Sequence, residues 1–229
     1  MTKTGFQIAI DGPSSSGKST VAKQLAQELN YIYLDTGAMY RALTLAALQA
    51  QVSADDIEGL KSLLANISID FAKAENGLGQ KVFLNGQDVS QKIRQDRVSQ
   101  AVSAYSARKE VRQDMVARQR RFAESGRGVI MDGRDIGTVV LPDAQVKIFL
   151  TASAQERARR RYAENQAKGY SKTSLAELQA DIERRDAYDS NREESPLRQA
   201  SDAILLDSSD LTLAEVESLI LAEIKKKLG

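Results

Sequence analysis

Short apolar runs alternate with amphipathic stretches along this chain of 229 residues. Each run is nearly uninterrupted, which is typical of strands covered on both faces of a parallel sheet. The predicted strands are residues 6–10, 31–34, 128–131, 146–150 and 203–206. The predicted helices are roughly residues 17–29, 37–50, 97–125, 153–167, 173–188 and 212–228. This alternation predicts an α/β fold in which helices flank a five-stranded parallel sheet.

The last predicted helix carries apolar residues at spacings of three and four, which is the pattern of one buried helix face. The predicted stripe consists of Leu213, Val216, Leu219, Ile220 and Ile224. Its lysines fall in the final turn, where the helix dipole favours positive charge.

Residues 66–90 interrupt this order, because apolar and polar residues alternate there with a period of two. Two turn signals, Glu75-Asn76-Gly77 and Asn85-Gly86, divide the segment. This pattern predicts a small antiparallel β meander inserted between two helices.

The chain contains no cysteine and no histidine. This composition excludes disulfides, thiolate nucleophiles and ordinary zinc sites, and it removes the commonest general base. Chemistry must then rest on carboxylates, lysine, arginine, hydroxyls, backbone amides and an oxygen-bound ion such as Mg²⁺.

Charge and hydropathy limit the partners. The 32 Lys and Arg residues balance 31 Asp and Glu residues, so no nucleic-acid partner is expected. The first apolar stretch is too short for a signal peptide, and no run reaches the ~18 apolar residues of a membrane span. We expect a cytoplasmic protein without a membrane partner. No apolar heptad pattern indicates an obligate partner, so we also expect a monomer.

The segment "GPSSSGKS" matches the phosphate-binding pattern G-x-x-x-x-G-K-[ST], directly after a predicted strand and before a predicted helix. Glycines in such a loop let successive N–H groups point at phosphate oxygens, and the helix start adds partial positive charge. The predicted ATP-binding residues are Gly12, Pro13, Ser14, Ser15, Ser16, Gly17, Lys18, Ser19 and Thr20. Lys18 is expected to reach the β- and γ-phosphates, and the Ser19 hydroxyl to contact Mg²⁺.

Asp132 directly follows the predicted strand 128–131, which is typical of a carboxylate that binds the metal of a nucleotide site, through water. An aspartate that only caps the turn after a strand is the alternative. The guanine-reading pattern N-K-x-D is absent, since none of the six asparagines precedes a lysine. A GTPase switch is therefore disfavoured.

Several arginines point to a second anion site. In "LDTGAMYR", Thr36 and Gly37 begin a predicted helix and Arg41 follows one turn later, which suits an anion held by amides and a guanidinium. In "MDGRD", Arg134 follows a strand end, where ligands bind in open α/β sheets. In "RRDAYDSNR", three charged residues have the spacing of one face if the stretch is helical: Arg185, Asp189 and Arg192. The alternative for each arginine is a solvated salt bridge.

A further cluster lies on the predicted helix after residues 146–150. Arg157, Arg160 and Arg161 share one face by their spacing. They are interpreted either as a lid that places positive charge over a transferring phosphoryl group, or as a solvated helix stapled by Glu156 and Glu164. A phosphate monoester acceptor needs no base, since it is already largely dianionic at neutral pH. An arginine-rich second site therefore favours a phosphate acceptor, although an aspartate base remains open.

The stretches "IDGPSSSGKST", "LDTGAMYR", "DGRDIGTVVLPDA", "KIFLTAS" and "RRDAYDSNR", in this order, resemble the bacterial cytidylate kinase family over nearly the whole chain. The resemblance implies a P-loop NTPase-type five-stranded parallel core, an inserted lobe that binds the nucleoside monophosphate, and a helical lid. It implies transfer from ATP to CMP or dCMP, with Mg²⁺. The implied division is a core of 1–35, 105–155 and 189–229, a monophosphate-binding lobe of 36–104, and a lid with its following helix of 156–188.

The resemblance also implies a role for individual residues. The implied acceptor-phosphate residues are Arg41, Arg134 and Arg192, with Thr36, Gly37 and Tyr40 beside them. The implied base-reading residues are Ser103, Arg112 and Asp135, and the implied ribose contacts are Arg185 and Asp189. Lys18, Arg134, Arg192 and the implied lid arginines Arg157 and Arg161 form the predicted catalytic set. The alternatives are another P-loop kinase of a small metabolite, such as UMP, another nucleotide or a shikimate-type alcohol, and a nucleotide-binding regulatory module.

Overall fold

The computed structural model describes residues 5–73, 80–124, 126–168 and 173–228. Its strands are β1 Gln7–Asp11, β2 Ile32–Asp35, β3 Ile69–Lys73, β4 Gln80–Leu84, β5 Gln87–Asp88, β6 Val129–Gly133, β7 Val146–Thr151 and β8 Ile204–Asp207. Its α-helices are α1 Lys18–Glu28, α2 Thr36–Gln49, α3 Ile57–Asn66, α4 Asp96–Ser106, α5 Lys109–Ala123, α6 Ala154–Lys168, α7 Leu175–Asn191 and α8 Leu213–Leu228. A 3₁₀ turn, Lys92–Arg94, and a π-helical turn, Ile136–Val140, complete the elements.

Five strands form one parallel sheet in the order β2-β6-β1-β7-β8, as the apolar runs predict. The predicted strand bounds agree with the structure within two residues. Because all five strands run the same way, the segments that follow them meet at one edge of the sheet. This edge brings together the P-loop after β1, the start of α2 after β2 and Arg134 after β6.

Two apolar clusters cover the sheet. Ile8 and Ile10 of β1 pack on one face with residues of α1 and α8, and Ala9 packs on the other face with residues of α2, α4 and α5. The prediction that every strand is covered on both faces is wrong for β8. That strand lies at the sheet edge, and Ile204 and Leu205 are 41% and 57% exposed.

A second, antiparallel sheet has the order β3-β4-β5 and confirms the inserted meander. Asn85 and Gly86 both have positive φ, 50° and 78°, as the predicted tight turn requires. The other predicted turn, at residues 75–77, lies outside the described residues. The Gln80 side chain joins this sheet to β2, since it donates to the Tyr33 carbonyl over 2.7 Å and accepts from the Asp35 N–H over 3.2 Å.

The helix predicted at 97–125 is two helices, α4 and α5. Arg108 between them is extended, with φ −75° and ψ 132°. Tertiary contacts hold this break: the Tyr105 hydroxyl donates to the Val52 carbonyl over 2.7 Å, and Arg108 forms an ion pair with Asp55. The helix α3 was not predicted, although Asp56 caps it by accepting from the Gly59 N–H over 2.9 Å.

The apolar stripe of α8 is narrower than predicted. Val216, Ile220 and Ile224 are buried, whereas Leu213 and Leu219 are exposed. Across the described ranges, no helix combines the length and the apolar character that crossing a membrane would require.

Candidate active site

A cleft of about 1190 Å³ opens at the carboxyl edge of the parallel sheet. The P-loop and the start of α1 form one side, and the start of α2 and part of α4 form another. The facing surfaces of α6 and α7 border the remainder, together with the segment from Ser208 to Val216 after β8. The predicted residues that line it are Ser14, Ser15, Ser16, Gly17, Lys18, Ser19, Thr20, Gly37, Arg41, Ser103, Asp132, Arg134, Arg161 and Arg185.

Other predicted residues are not part of this lining in the structure: Gly12, Pro13, Thr36, Tyr40, Arg112, Asp135, Arg157, Asp189 and Arg192. Most of them are buried directly behind the lining. These buried residues therefore form a second layer that supports the residues lining the cleft.

The P-loop has the backbone that its glycines predict. Gly12, Ser15 and Gly17 have φ values of 147°, 60° and 94°. A Cβ on Gly12 would lie 2.0 Å from the Leu150 carbonyl oxygen, so a side chain has no room there. Gly17 precedes α1, whose free N–H groups are available to an anion.

Lys18 lies inside this loop and donates to the Pro13 carbonyl over 2.5 Å. Burial, and then the positive charge of Arg134, lower the pKa of Lys18 to about 7. A bound phosphate would supply negative charge at this ammonium and so favour its protonated form.

Asp132 accepts two hydrogen bonds of 2.7 Å, one from the Ser19 hydroxyl and one from the Tyr33 hydroxyl. Burial, followed by the charge of nearby Asp35, raises the pKa of Asp132. The Ser19 and Asp132 oxygens are hard donors beside the P-loop, so they fit Mg²⁺. In the part of the chain that is described, no group of three or more Asp or Glu residues could hold a metal alone.

A carboxylate lies at the start of α2, where the sequence predicts an anion site. Asp35 caps the helix by accepting from the Ala38 N–H over 2.7 Å, and Arg41 lies 3.2 Å from it. Burial raises the pKa of Asp35, but Arg41 and the Ala38 amide outweigh that effect and lower it overall. Thr36 begins α2 as predicted, but its hydroxyl turns away from the cleft and donates to the Asp132 carbonyl over 2.7 Å.

A buried ion pair lies behind the lining of the cleft. Arg112 contacts Asp135, and the two side chains are only 4% and 5% exposed. Arg192 is the second cation near Asp135, at 4.0 Å. The Arg112 guanidinium lies over the Tyr40 ring, 5.3 Å from its centroid, and burial raises the pKa of Tyr40.

The α7 residues join this layer. Arg134 donates to Asp189 over 3.0 Å, and Arg192 donates to the Ser195 carbonyl over 2.7 Å. Arg185 faces the cleft, and its burial together with the charge of Arg134 lowers its pKa to about 10. Burial, and then the charge of Arg112, also lowers the pKa of Arg192.

The α6 arginines divide into two groups. Arg157 is buried, donates to the Ser14 carbonyl over 3.1 Å and pairs with Asp186 at 2.6 Å. Its spacing to Arg160 and Arg161 is that of one helix face, since α6 is continuous through all three, but Arg157 is buried whereas those two are not. Those two residues line the cleft. Arg160 also forms an ion pair with Glu156 at 3.1 Å, and Arg161 forms one with Glu164 at 3.9 Å.

Sequence reasoning missed several cleft residues, namely Lys23, Arg94, Ser99 and Tyr188. Tyr188 lies inside the singled-out stretch "RRDAYDSNR", so its position was available as a signal. Arg94 lies in a short 3₁₀ turn that no periodicity indicates.

Comparisons with known proteins identify the family of this chain. The family model described as cytidylate kinase matches residues 8–226. A cytidylate kinase of Enterococcus faecalis (strain ATCC 700802 / V583) is 58% identical over 203 residues, which cover 89% of this chain and 88% of that protein. A cytidylate kinase of Geobacillus sp. (strain WCH70) is 54% identical over 206 residues, which cover 90% of each chain.

A solved structure of an uncharacterized protein from Eubacterium ventriosum ATCC 27560 superposes with a TM-score of 0.52 at 14% identity. The superposition covers 96% of this chain and 98% of that one, and it supports the fold alone. The family match over nearly the whole chain, together with the identity to these relatives, shows that the chain belongs to the cytidylate kinase family.

Proposed function

We propose that this enzyme transfers the γ-phosphoryl group of Mg-ATP to CMP or dCMP and releases ADP with CDP or dCDP. The observation that carries the proposal is one cleft that contains both a P-loop and, across from it, the arginines Arg41 and Arg134. A nucleotide switch needs only the first of these sites, whereas a kinase needs both.

The P-loop residues hold the triphosphate in this proposal. The loop amides and the start of α1 bind its oxygens, and Lys18 moves from Pro13 to the β- and γ-phosphates. Mg²⁺, held by the Ser19 hydroxyl and through water by Asp132, would neutralise charge on the phosphates. The 2.7 Å contact between those two side chains supports a shared role at the metal.

Arg41, Arg134 and Arg192 hold the acceptor phosphate. Each of them now pairs with an internal carboxylate or carbonyl, respectively Asp35, Asp189 and the Ser195 carbonyl. Arg41 and Arg134 line the cleft with their orientation already fixed, so little side-chain entropy is lost when a phosphate binds them, and Arg192 lies behind the lining. No general base is required, since the acceptor oxygen is already ionised.

Ser103, Arg112 and Asp135 read the base. Cytosine offers a donor at N4 and an acceptor at N3, which match the Asp135 carboxylate and the Arg112 guanidinium. Uracil presents the reverse pattern and would leave buried groups unpaired, which costs more than a lost contact at the surface. Arg185 and Asp189 are proposed to contact the ribose, and Tyr40 supports Arg112 from behind.

The helical hairpin α6–α7 acts as the lid, with Arg161 above the transferring phosphoryl group. Arg157 would act from beneath the P-loop, through the Ser14 carbonyl that it contacts. The proposed division is a core of 1–35, 105–155 and 189–229, a monophosphate lobe of 36–104 and a lid of 156–188. The break between α4 and α5 lies close to the boundary at residue 105, which supports that division. We propose that the enzyme works as a monomer.

Coupled ADP-release measurements with Mg-ATP test the proposal, first without acceptor and then with CMP, dCMP, UMP, AMP, GMP or shikimate. Strong dependence on CMP or dCMP is the expected result. Activity with another acceptor would keep the phosphoryl transfer but overturn the base-reading residues. Release of ADP that no acceptor increases would contradict the kinase assignment and favour a regulatory nucleotide-binding module.

A further inference from the structure

Asp11, the last residue of β1, joins two segments that are far apart in the sequence. One carboxylate oxygen accepts from the Ile136 N–H and the other from the Gly137 N–H, each over 2.7 Å. The side chain is buried, with 5% of the residue exposed. Gly12, the first residue of the P-loop, follows Asp11 directly. A single carboxylate therefore connects the donor-phosphate loop to the segment that contains Asp135.

These two N–H groups begin the π-helical turn 136–140, and Asp135 is the residue that precedes it. An aspartate in that position commonly accepts from the N–H groups that follow it. Here the Asp135 side chain makes no such bond. Its carboxylate instead contacts Arg112 and lies 4.0 Å from Arg192. Asp11 therefore accepts the hydrogen bonds of the two N–H groups that the Asp135 side chain does not bind.

The packing around this contact is tight. A Cβ on Gly137 would lie 3.1 Å from Cδ of Lys147 and 3.4 Å from the Asp11 carboxylate. Gly137, which has no side chain, therefore lets the turn lie directly against the sheet, with both N–H groups within hydrogen-bond reach of Asp11.

We infer that Asp11 is a positioning residue for the acceptor base: by binding the amides of Ile136 and Gly137, it keeps the Asp135 carboxylate directed toward Arg112 and the base. The inference rests on the proposed function, since it requires that Asp135 reads cytosine. It also assigns to β1 a second role beyond presenting the P-loop, because the same strand end fixes both substrate sites relative to each other.

Asp11→Asn tests this role with little change in volume. An amide has one oxygen, so one of the two N–H groups loses its acceptor and faces an NH₂ group instead. The Asp135 carboxylate then becomes the nearest alternative acceptor and is drawn away from Arg112. We expect the KM for CMP to rise about tenfold, as for the loss of one hydrogen bond to a charged group. The KM for ATP should change less than about twofold, and the preference for CMP over UMP should fall.

Asp202→Asn is the matched control. Asp202 lies on the surface and pairs with Lys147 at 2.7 Å, and Lys147 packs against Gly137. This variant therefore removes a carboxylate contact beside the same turn but leaves both hydrogen bonds from Asp11 in place. Both variants and the wild-type enzyme are measured at pH 8 for the KM of each substrate, for kcat and for Tm. The control should keep the wild-type KM values. If Asp11→Asn does not fold, Asp11→Ser is measured in the same way, because serine has no NH₂ group to face the two N–H donors.

The inference is overturned if the folded Asp11 variant has a lower Tm but an unchanged KM for CMP, since a purely structural contact would behave in that way. It is also overturned if the KM values for CMP and ATP rise equally. Absence of CMP-dependent ADP release in the wild-type enzyme and the control is a separate result, which would reject the proposed function itself.

Discussion

Arg112→Met probes the buried ion pair at the base of the acceptor site. Methionine keeps most of the apolar length that packs near Tyr40, but it removes the charge that faces Asp135. The pair is almost fully buried, and removing one member of such a pair costs about 3–5 kcal/mol because the other charge stays buried. Arg192 remains at 4.0 Å from Asp135, so we expect the lower end, about 3 kcal/mol.

The measurement is urea unfolding of the wild-type protein and of two variants, followed by far-UV circular dichroism. Arg108→Met is the matched control, since Arg108 also pairs with an aspartate near the α4–α5 break, but those side chains are 37% and 81% exposed. An exposed pair contributes less than about 1 kcal/mol to the free energy of unfolding. Equal losses in the two variants would refute the reasoning that burial makes the Arg112 pair costly to break.

The same variant reports on binding. Saturating CMP, at about 100 times its Kd, should stabilise the wild-type protein by about 2.7 kcal/mol. Arg112→Met should lose most of that gain, because the group proposed to donate to the cytosine ring is gone. Full stabilisation of the variant by CMP would show that the base is read elsewhere.

Four further predictions concern the P-loop, the acceptor site and β1. Lys18→Ala should reduce kcat by several orders of magnitude with an unchanged circular dichroism spectrum, and near-normal turnover would exclude its phosphate contact. Arg41→Ala should raise the KM for CMP far more than the KM for ATP, and equal increases would contradict its place in the acceptor site. Gly12→Ala should destabilise the protein much more than Gly86→Ala. A Cβ on Gly12 would lie 2.0 Å from a backbone oxygen, whereas no atom lies within 4 Å of a Cβ on Gly86. Similar Tm values for the two variants would contradict this. Burial raises the pKa of Asp11 to about 7, so between pH 5 and pH 7 the native state keeps a proton that the unfolded state has lost. The stability of the wild-type protein relative to Asp11→Asn should therefore fall by about 1.4 kcal/mol per pH unit over that range. Parallel pH profiles of the two proteins would refute the shift.

The sequence predicts the parts of this fold that local chemistry decides. The P-loop follows from Gly12 and Gly17, whose positive φ values few other residues tolerate. The meander turn follows from Asn85-Gly86 for the same reason. The five strands follow from uninterrupted apolar runs, which is why the parallel sheet was predicted with the correct strands.

Features that depend on distant parts of the chain were not predicted. The exposure of Leu205 depends on how far helices cover β8, since Leu34 of β2, the strand at the opposite edge of the sheet, is buried. The apolar runs of the two strands do not distinguish these cases. The extended Arg108 is held by residues of the loop before α3. Arg157 is buried because Ser14 and Asp186 contact it, and helical spacing, which places it on the same face as Arg161, does not indicate that burial.

The most direct test of phosphoryl transfer to cytidylate is ³¹P NMR of the enzyme with Mg-ATP and CMP, followed over time in one sample. We predict that the β-phosphate signals of ADP and CDP grow in equal amounts while the γ-phosphate signal of ATP falls and orthophosphate stays at background. Growth of orthophosphate with CMP unconsumed would contradict the transfer and assign the P-loop to hydrolysis.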